Sequence, residues 1–329
     1  MNNVERFKKL MSFEPVDRLP IVEWAFYWDK TLERWYEEGL SRNIADVAEI
    51  RKHFGFDRYL QCWIGPYGPD CPHAESHGAP IIKNKGEFNG ILEHLYKPNF
   101  DESEIEKWAV EHEAGESVVW ITLEGFFWHP RTLFGIENHF YAFMDQPELM
   151  HDMNKRLVDF SLKVIEKFCS ICQPDFMTLA EDMSYNHGPM LSKRMYDVFL
   201  LPYYQQLIPE LKKRDIHVFI DSDGGIEPLL PWLKEAGIEG ILPLERMAGV
   251  DVNEIRKEHP DFLMIGGFDK TVMHLGEEAI RNEFERILSA MKSGGYIPSV
   301  DHQTPPAVSL EDYKLYISIL REYCVKAVS

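Results

Sequence analysis

From Val118 to the C-terminus, short apolar runs alternate with longer amphipathic segments, and this alternation limits the fold more than any other feature. The runs are Val118–Leu123, Phe176–Ala180, Val218–Ile220, Ile238–Leu242, Phe262–Ile265 and Tyr296–Val300. Between them the pattern predicts helices over about 147–172, from Ser192 to about 213, from Pro228 onward, over about 277–293 and from Ser309 to about 325. Strands linked by helical crossovers lie parallel, because a parallel return is too long for a tight turn. Pro20–Trp24 is a further strand candidate, and another fits between 55 and 64. That number of repeats predicts an α/β fold, a closed (β/α)8 TIM barrel rather than an open sheet.

The remainder fits around such a barrel. Val4–Met11, 29–40 and 43–53 read as helices and form an N-terminal helical extension, interrupted at Glu14-Pro15. Residues 65–100 are an irregular insert, turn-dense from Gly65 to Pro69. Weak alternation at Ile81-Ile82 and Ile91–Leu95 predicts a small antiparallel addition over the open end. Residues 1–329 are expected to form a single barrel domain.

Composition removes several function classes. Apolar residues make up 45% of the chain, enough for a large core. A formal net charge of −19 argues against nucleic acid and anionic membrane surfaces as partners. The odd cysteine count of 5 does not suggest a disulfide framework. Cys169-Ser-Ile-Cys172 lies in a helical pattern, where burial explains it better than redox or zinc chemistry. The N-terminus lacks the apolar stretch of a signal peptide, so a cytoplasmic location is expected. No GxGxxG or GxxxxGK[ST] motif is found, which removes dinucleotide and P-loop chemistry.

Barrel active sites lie at the C-terminal ends of the strands. That rim would carry Glu23, Glu124, Glu181, Asp182, Asp221, Asp223, Glu245, Asp269, Asp301 and His302. So many carboxylates need a cation, protonation, or a direction away from the mouth. Asp221 and Asp223, spaced to share one side of a strand, join His302 as candidate metal ligands. That donor set suits zinc, manganese or iron. The alternative is that Asp223 caps the next helix and Asp221 binds loop amides. Glu181, Asp182 and His187 are candidate acids or bases beside Asp221, Asp223 and His302. Aromatic residues crowd the same ends. Glu23, Trp24, Tyr27, Trp63, Glu124, Phe127 and Phe268 are therefore candidate substrate-binding residues, for a flat aromatic ligand.

These residues carry a resemblance. Glu14-Pro15-Val16-Asp17-Arg18-Leu19-Pro20 resembles the V-D-R-x-P opening of the uroporphyrinogen decarboxylase superfamily. Asp221-Ser222-Asp223-Gly224, followed by Leu229–Ile238, is similar to a later family segment. So are Leu242–Glu245, Ile265–Asp269, Gly294–Ser299 and Asp301-His302. The resemblance covers nearly the whole chain and implies a (β/α)8 barrel. The decarboxylases carry an Arg-rich R-Q-A-G-R-Y motif after the opening, where this chain reads Glu23-Trp24-Ala25-Phe26-Tyr27-Trp28. The other branch consists of corrinoid-dependent methyltransferases, some holding zinc through H-x-C and a later Cys. Asp221, Asp223 and Asp301 or His302 stand at those positions. This departure implies a methyltransferase that O-demethylates a methoxylated aromatic and hands the methyl group to Co(I). The corrinoid (cobalamin) would come on a partner protein, because no D-x-H-x-x-G segment is present. A tetrapyrrole decarboxylase is the alternative, as is another methylcobalamin-linked methyltransferase. The sequence leaves open whether the chain forms a homodimer.

Overall fold

The computed structural model describes residues 1–329. Its centre is a curled seven-stranded parallel sheet. The strands are β1 (Arg58–Ile64), β2 (Ser117–Glu124), β3 (Phe176–Ala180), β4 (His217–Asp221), β5 (Gly240–Leu242), β6 (Leu263–Phe268) and β7 (Tyr296–Val300). Each pairs with its neighbours in chain order, as helical crossovers require. The architecture is the barrel-like α/β fold expected from the alternation. No helix is long and apolar enough to cross a membrane.

One expected strand is missing. Residues 20–24 run between the two edges of the sheet but join neither ladder. Their polar backbone is claimed by other groups. Asp57 accepts from the Ile21 amide at 2.9 Å while its carboxylate pairs with both ends of the Arg18 guanidinium at 2.7 Å. Pro20 has no amide to give. The segment still closes the barrel. Ile21 accepts from the Asp57 amide at 2.9 Å, and the Trp24 indole donates to the Val300 carbonyl at 2.6 Å.

The insert also differs from its prediction. Ile81-Ile82 joins no strand, and Ile91–Leu95 starts at the last residue of a helix, Lys85–Ile91, and passes through a 3-10 turn, Leu92–His94. Asn84 and Glu87 decide this. The Asn84 side chain accepts from the Glu87 amide at 3.1 Å, and Glu87 accepts from the Lys83 amide at 2.8 Å. Asn-x-x-Glu is a helix-start signature, and it outweighs weak alternation. Only one antiparallel bridge, Tyr67 with Leu95, ties the insert together in strand fashion.

The bottom of the barrel is plugged by the first helix, Asn3–Met11. Its Phe7 ring stacks on Phe176 at 5.1 Å, and Phe176 stacks on Trp120 at 5.0 Å. Above them, Thr122 and Thr178 share a hydrogen bond of 2.7 Å, and Phe219 fills the space beside Gly240. One layer higher, Glu124, Ala180, Asp221 and Leu242 form a row across four neighbouring strands. Two carboxylates thus enter the mouth from one row, two strands and so roughly 10 Å apart.

Candidate active site

The acids at the strand ends divide by what surrounds them. Glu181 follows β3 and is fully buried. It accepts from the amides of Phe126 and Phe127 at 2.7 Å each and of Trp128 at 3.1 Å. The Tyr204 hydroxyl donates to it as well. Gly125 makes the approach possible, since a Cβ there would lie 1.9 Å from the carboxyl carbon. Burial raises the carboxyl to about 7 against the pull of Tyr204 and the amides. The side chain named as a candidate acid therefore has its oxygens engaged in holding the turn after β2.

Glu23 is similar. It accepts from Tyr313 at 3.0 Å, from the Ala25 amide at 3.2 Å and from Ser299 at 3.4 Å. Burial lifts it to about 7, opposed by the Arg51 charge. Tyr27 and Tyr313 close over it with a 3.2 Å hydroxyl contact. Glu23 and Tyr27, expected as ligand contacts, belong to a sealed cluster.

A second set faces the mouth. Asp182, Asp221, Asp223, Glu245 and His302 come from the ends of β3, β4, β5 and β7. Asp223, Glu245 and His302 place ligand-capable atoms within 4.8 Å of one another. The Glu245 carboxylate accepts from the Gly224 amide at 3.0 Å, which fixes it against the β4 loop. Gly224 itself has φ +83°, and a Cβ on it would meet the Tyr185 backbone at 2.7 Å. His302 Nε2 lies 3.6 Å from Asp223. Asp182 holds φ 39° and accepts from the Asp223 amide at 3.4 Å.

Like charges dominate this set. Burial, with Asp182 and Glu245 nearby, raises Asp223 to about 8. Burial and the flanking Asp182 and Asp223 raise Asp221 well above the usual carboxylate range. Asp182 is raised by burial, and His302 is lowered by it. Two carboxylates and one imidazole around one point suit a divalent ion such as zinc or manganese. Of the ligands expected from sequence, Asp223 and His302 belong to this triad. Asp221 lies outside it, and Glu245 takes the third place.

Behind the triad, Asp301 is fully buried and neutralised locally. It accepts from Lys270 Nζ at 3.1 Å and from the Arg246 amide at 3.0 Å. Lys270 was not singled out in the sequence. Its signal was available, since it directly follows Asp269 at the end of β6.

The other candidates scatter. His187 is exposed in a small hairpin, 5.8 Å from the Tyr185 ring centre. Phe127 packs on His139 at 4.7 Å and on Phe143, within the helical layer. Phe268 points outward onto Phe284 and Tyr316, following two positive-φ glycines, Gly266 and Gly267, that break simple alternation along β6. Phe127 and Phe268 are core residues rather than pocket lining. Trp63 stays 46% exposed at the rim, with Phe26 and Trp28 also open. Trp24 is tied to Val300.

Glu124 is held in a network that sequence reading missed. Tyr67 of the insert donates to Glu124 at 2.6 Å. The same hydroxyl lies 3.0 Å from His129 Nδ1, and Tyr96 lies 2.8 Å from His129 Nε2. One proton arrangement satisfies all three bonds: Tyr96 donates to His129, His129 to Tyr67, and Tyr67 to Glu124. The second Glu124 oxygen lies against Gly65.

A barrel whose strand ends gather acids, an imidazole and exposed aromatics is the layout of a (β/α)8 enzyme. Residues 131–323, more than half of the chain, match the sequence profile described as uroporphyrinogen decarboxylase (URO-D). The chain belongs to that family. It is 28% identical over 142 residues to a uroporphyrinogen decarboxylase of Pseudomonas putida (strain W619), and equally to that of Pseudomonas entomophila (strain L48). Each match covers 41% of this chain and 39% of the relative, so it spans well under half of either protein. Among solved structures, a methyltransferase from Methanosarcina mazei superposes with a TM-score of 0.65. That likeness covers 98% of this chain and 99% of the other, at 14% identity, and shows a shared fold. The matched proteins thus bear two names, decarboxylase and methyltransferase.

Proposed function

We propose that this chain is a methyltransferase that takes a methyl group from a methoxylated aromatic donor and passes it to the Co(I) corrinoid of a partner protein. The observation that carries the reading is the convergence of Asp223, Glu245 and His302, with Asp182 and Asp221 beside them. A mouth so rich in carboxylates repels a polycarboxylate such as a porphyrinogen. It suits a neutral ether whose departing oxygen needs an electrophile.

Asp223, Glu245 and His302 would hold a divalent ion, and that ion would supply Lewis acidity to the ether oxygen. Glu124 is the candidate proton donor for the same oxygen. Its carboxyl projects from the mouth row and is oriented by Tyr67. Methyl loss leaves a phenolate, and a proton on that oxygen completes the leaving group. Trp63, Phe26 and Trp28 leave apolar surface at the rim, where a donor ring and the flat corrinoid face can pack. The corrinoid supplies the nucleophile.

The test is methyl transfer from a methoxyphenol to chemically reduced cobalamin, with metal content measured beside it. About one zinc or manganese ion per chain, lost together with turnover in Asp223→Ala, is the expected result. Release of carbon dioxide from uroporphyrinogen, with no methyl transfer, would replace this reading with the decarboxylase one.

A further inference from the structure

Beside the carboxylate mouth lies a cavity of different character. It occupies about 370 Å³ between the insert and the helix Trp128–Phe134. His73, His77, Trp128, Arg131, Thr132 and Ile136 line it, and no acidic residue does. The four other prominent cavities each include at least one acid in their walls. In a chain with 54 acidic residues against 35 lysines and arginines, an acid-free wall around an arginine is unusual.

Arg131 is the group that needs explaining. It forms no ion pair with any carboxylate of the chain, although acids stand close by. Its one protein hydrogen bond is long, from Nη1 to the Asp182 carbonyl at 3.3 Å. Burial lowers its pKa, which marks a partly desolvated charge. The guanidinium is also positioned, lying 4.8 Å over the Trp128 ring. A rigid, half-buried guanidinium with free donors is shaped to take a carboxylate in two parallel bonds.

The walls are built rather than incidental. The insert is clamped onto the helix by the Ile81 and Ile82 amides, which donate to the Leu133 carbonyl at 2.8 and 3.0 Å. The Ile136 amide donates to the Gly78 carbonyl at 3.0 Å. Gly135 permits this closeness, because a Cβ there would lie 2.6 Å from that carbonyl oxygen.

We infer that this cavity is an anion subsite for an aromatic carboxylic acid, with Arg131 as its anchor. The carboxylate pairs with Arg131 and the ring lies along Trp128 and Ile136. The Arg131–Asp182 bond places the cavity wall against the carboxylate mouth. Repulsion from Asp182, Asp221, Asp223 and Glu245 keeps the charged end of the ligand at Arg131 and turns its far end toward the triad. Resting on the function proposed above, this makes the methyl donor a methoxylated aromatic acid bound in one orientation.

The experiment is calorimetric titration of the full chain with 4-methoxybenzoate, benzoate, 4-methoxybenzyl alcohol and inorganic phosphate. The wild type, Arg131→Gln and Arg131→Lys are compared, with thermal unfolding of each as a check on folding. The two acids should bind at least tenfold more tightly than the alcohol or phosphate. Arg131→Gln should lose that margin, and Arg131→Lys should restore part of it. Equal binding of acid and alcohol, or acid binding unchanged in Arg131→Gln, overturns the subsite. Phosphate binding as tightly as the acids overturns the aromatic assignment. Benzoate binding through Arg131 without methyl transfer from 4-methoxybenzoate to reduced cobalamin would sustain the subsite and sink the methyltransferase reading.

Discussion

Glu181 and Asp223 both sit just past the end of a barrel strand, and they live in opposite surroundings. Glu181 meets three amides and a tyrosine hydroxyl. Asp223 meets other carboxylates and one histidine at 3.6 Å. Burial raises both carboxyls, but only the first is compensated by donors. Position at the strand end therefore does not make an acid functional. An acid with a full set of partners organises a loop, whereas one left among like charges must take up a proton or a cation.

The comparison breaks most readily at Glu181. Glu181→Ala leaves the amides of Phe126 and Phe127 buried without an acceptor, and each such donor costs about 1–3 kcal/mol. The expected loss is about 3–5 kcal/mol in urea unfolding. A loss below about 1 kcal/mol would move Glu181 out of the architectural group. Asp223 should behave in the opposite way. Asp223→Asn relieves repulsion, so metal-free stability should hold or rise. Added zinc or manganese at a hundred times its Kd should stabilise the wild type by about 2.7 kcal/mol. Asp223→Asn and His302→Ala should both abolish that gain.

Glu23 sharpens the same contrast through pH. Its folded pKa, about 7, lies above the ordinary glutamate value because of burial. The folded state therefore binds a proton that the unfolded chain has already released. The stability this contributes is complete below the unfolded value of 4.5 and is lost as pH rises through about 7. Glu23→Gln should remove about 2 kcal/mol of that decline between pH 5 and pH 9. A stability curve identical to that of the wild type would mean Glu23 stays ionised beside Arg51.

How much of this could be read from the sequence follows from the range of each interaction. The strands were legible because burial on both faces demands a local apolar run. The acids closing those runs marked the rim equally well. What could not be read is which acids are compensated. The donors to Glu181 come from 126–128, more than fifty positions away along the chain. Glu245 entered the triad rather than Asp221 because loops after β4, β5 and β7 converge, which no spacing encodes. Residues 20–24 read like a strand, yet Asp57 takes the amide a ladder would need. Phe268 faces the helical layer after two positive-φ glycines, Gly266 and Gly267, which break the alternation that a strand-end reading assumes. Arg131 did carry a signal, as a lone cation within Phe126-Phe127-Trp128-His129-Pro130-Arg131. Only its lack of a partner gives that signal meaning, and this is a property of the folded chain.

Glu124 falls between the two groups, and it offers the finest test. One oxygen is held by Tyr67 at 2.6 Å, as an architectural acid would be. The other lies beside Gly65 in the row that carries Asp221. Tyr67→Phe removes one hydrogen bond and should cost about 1 kcal/mol of stability. If Glu124 only braces the insert, the loss ends there and methyl transfer is unchanged at every pH. If Glu124 delivers the proton, Tyr67→Phe should also slow transfer at least tenfold. The donor's affinity should remain the same, since the ring and its acid group are held elsewhere. We expect the second result, because His129 and Tyr96 extend the bond to Tyr67 into a chain with one donor direction, ending on Glu124. A brace needs only the Tyr67 hydroxyl, whereas the chain behind it fixes which Glu124 oxygen is held and leaves the other, beside Gly65, directed at the mouth.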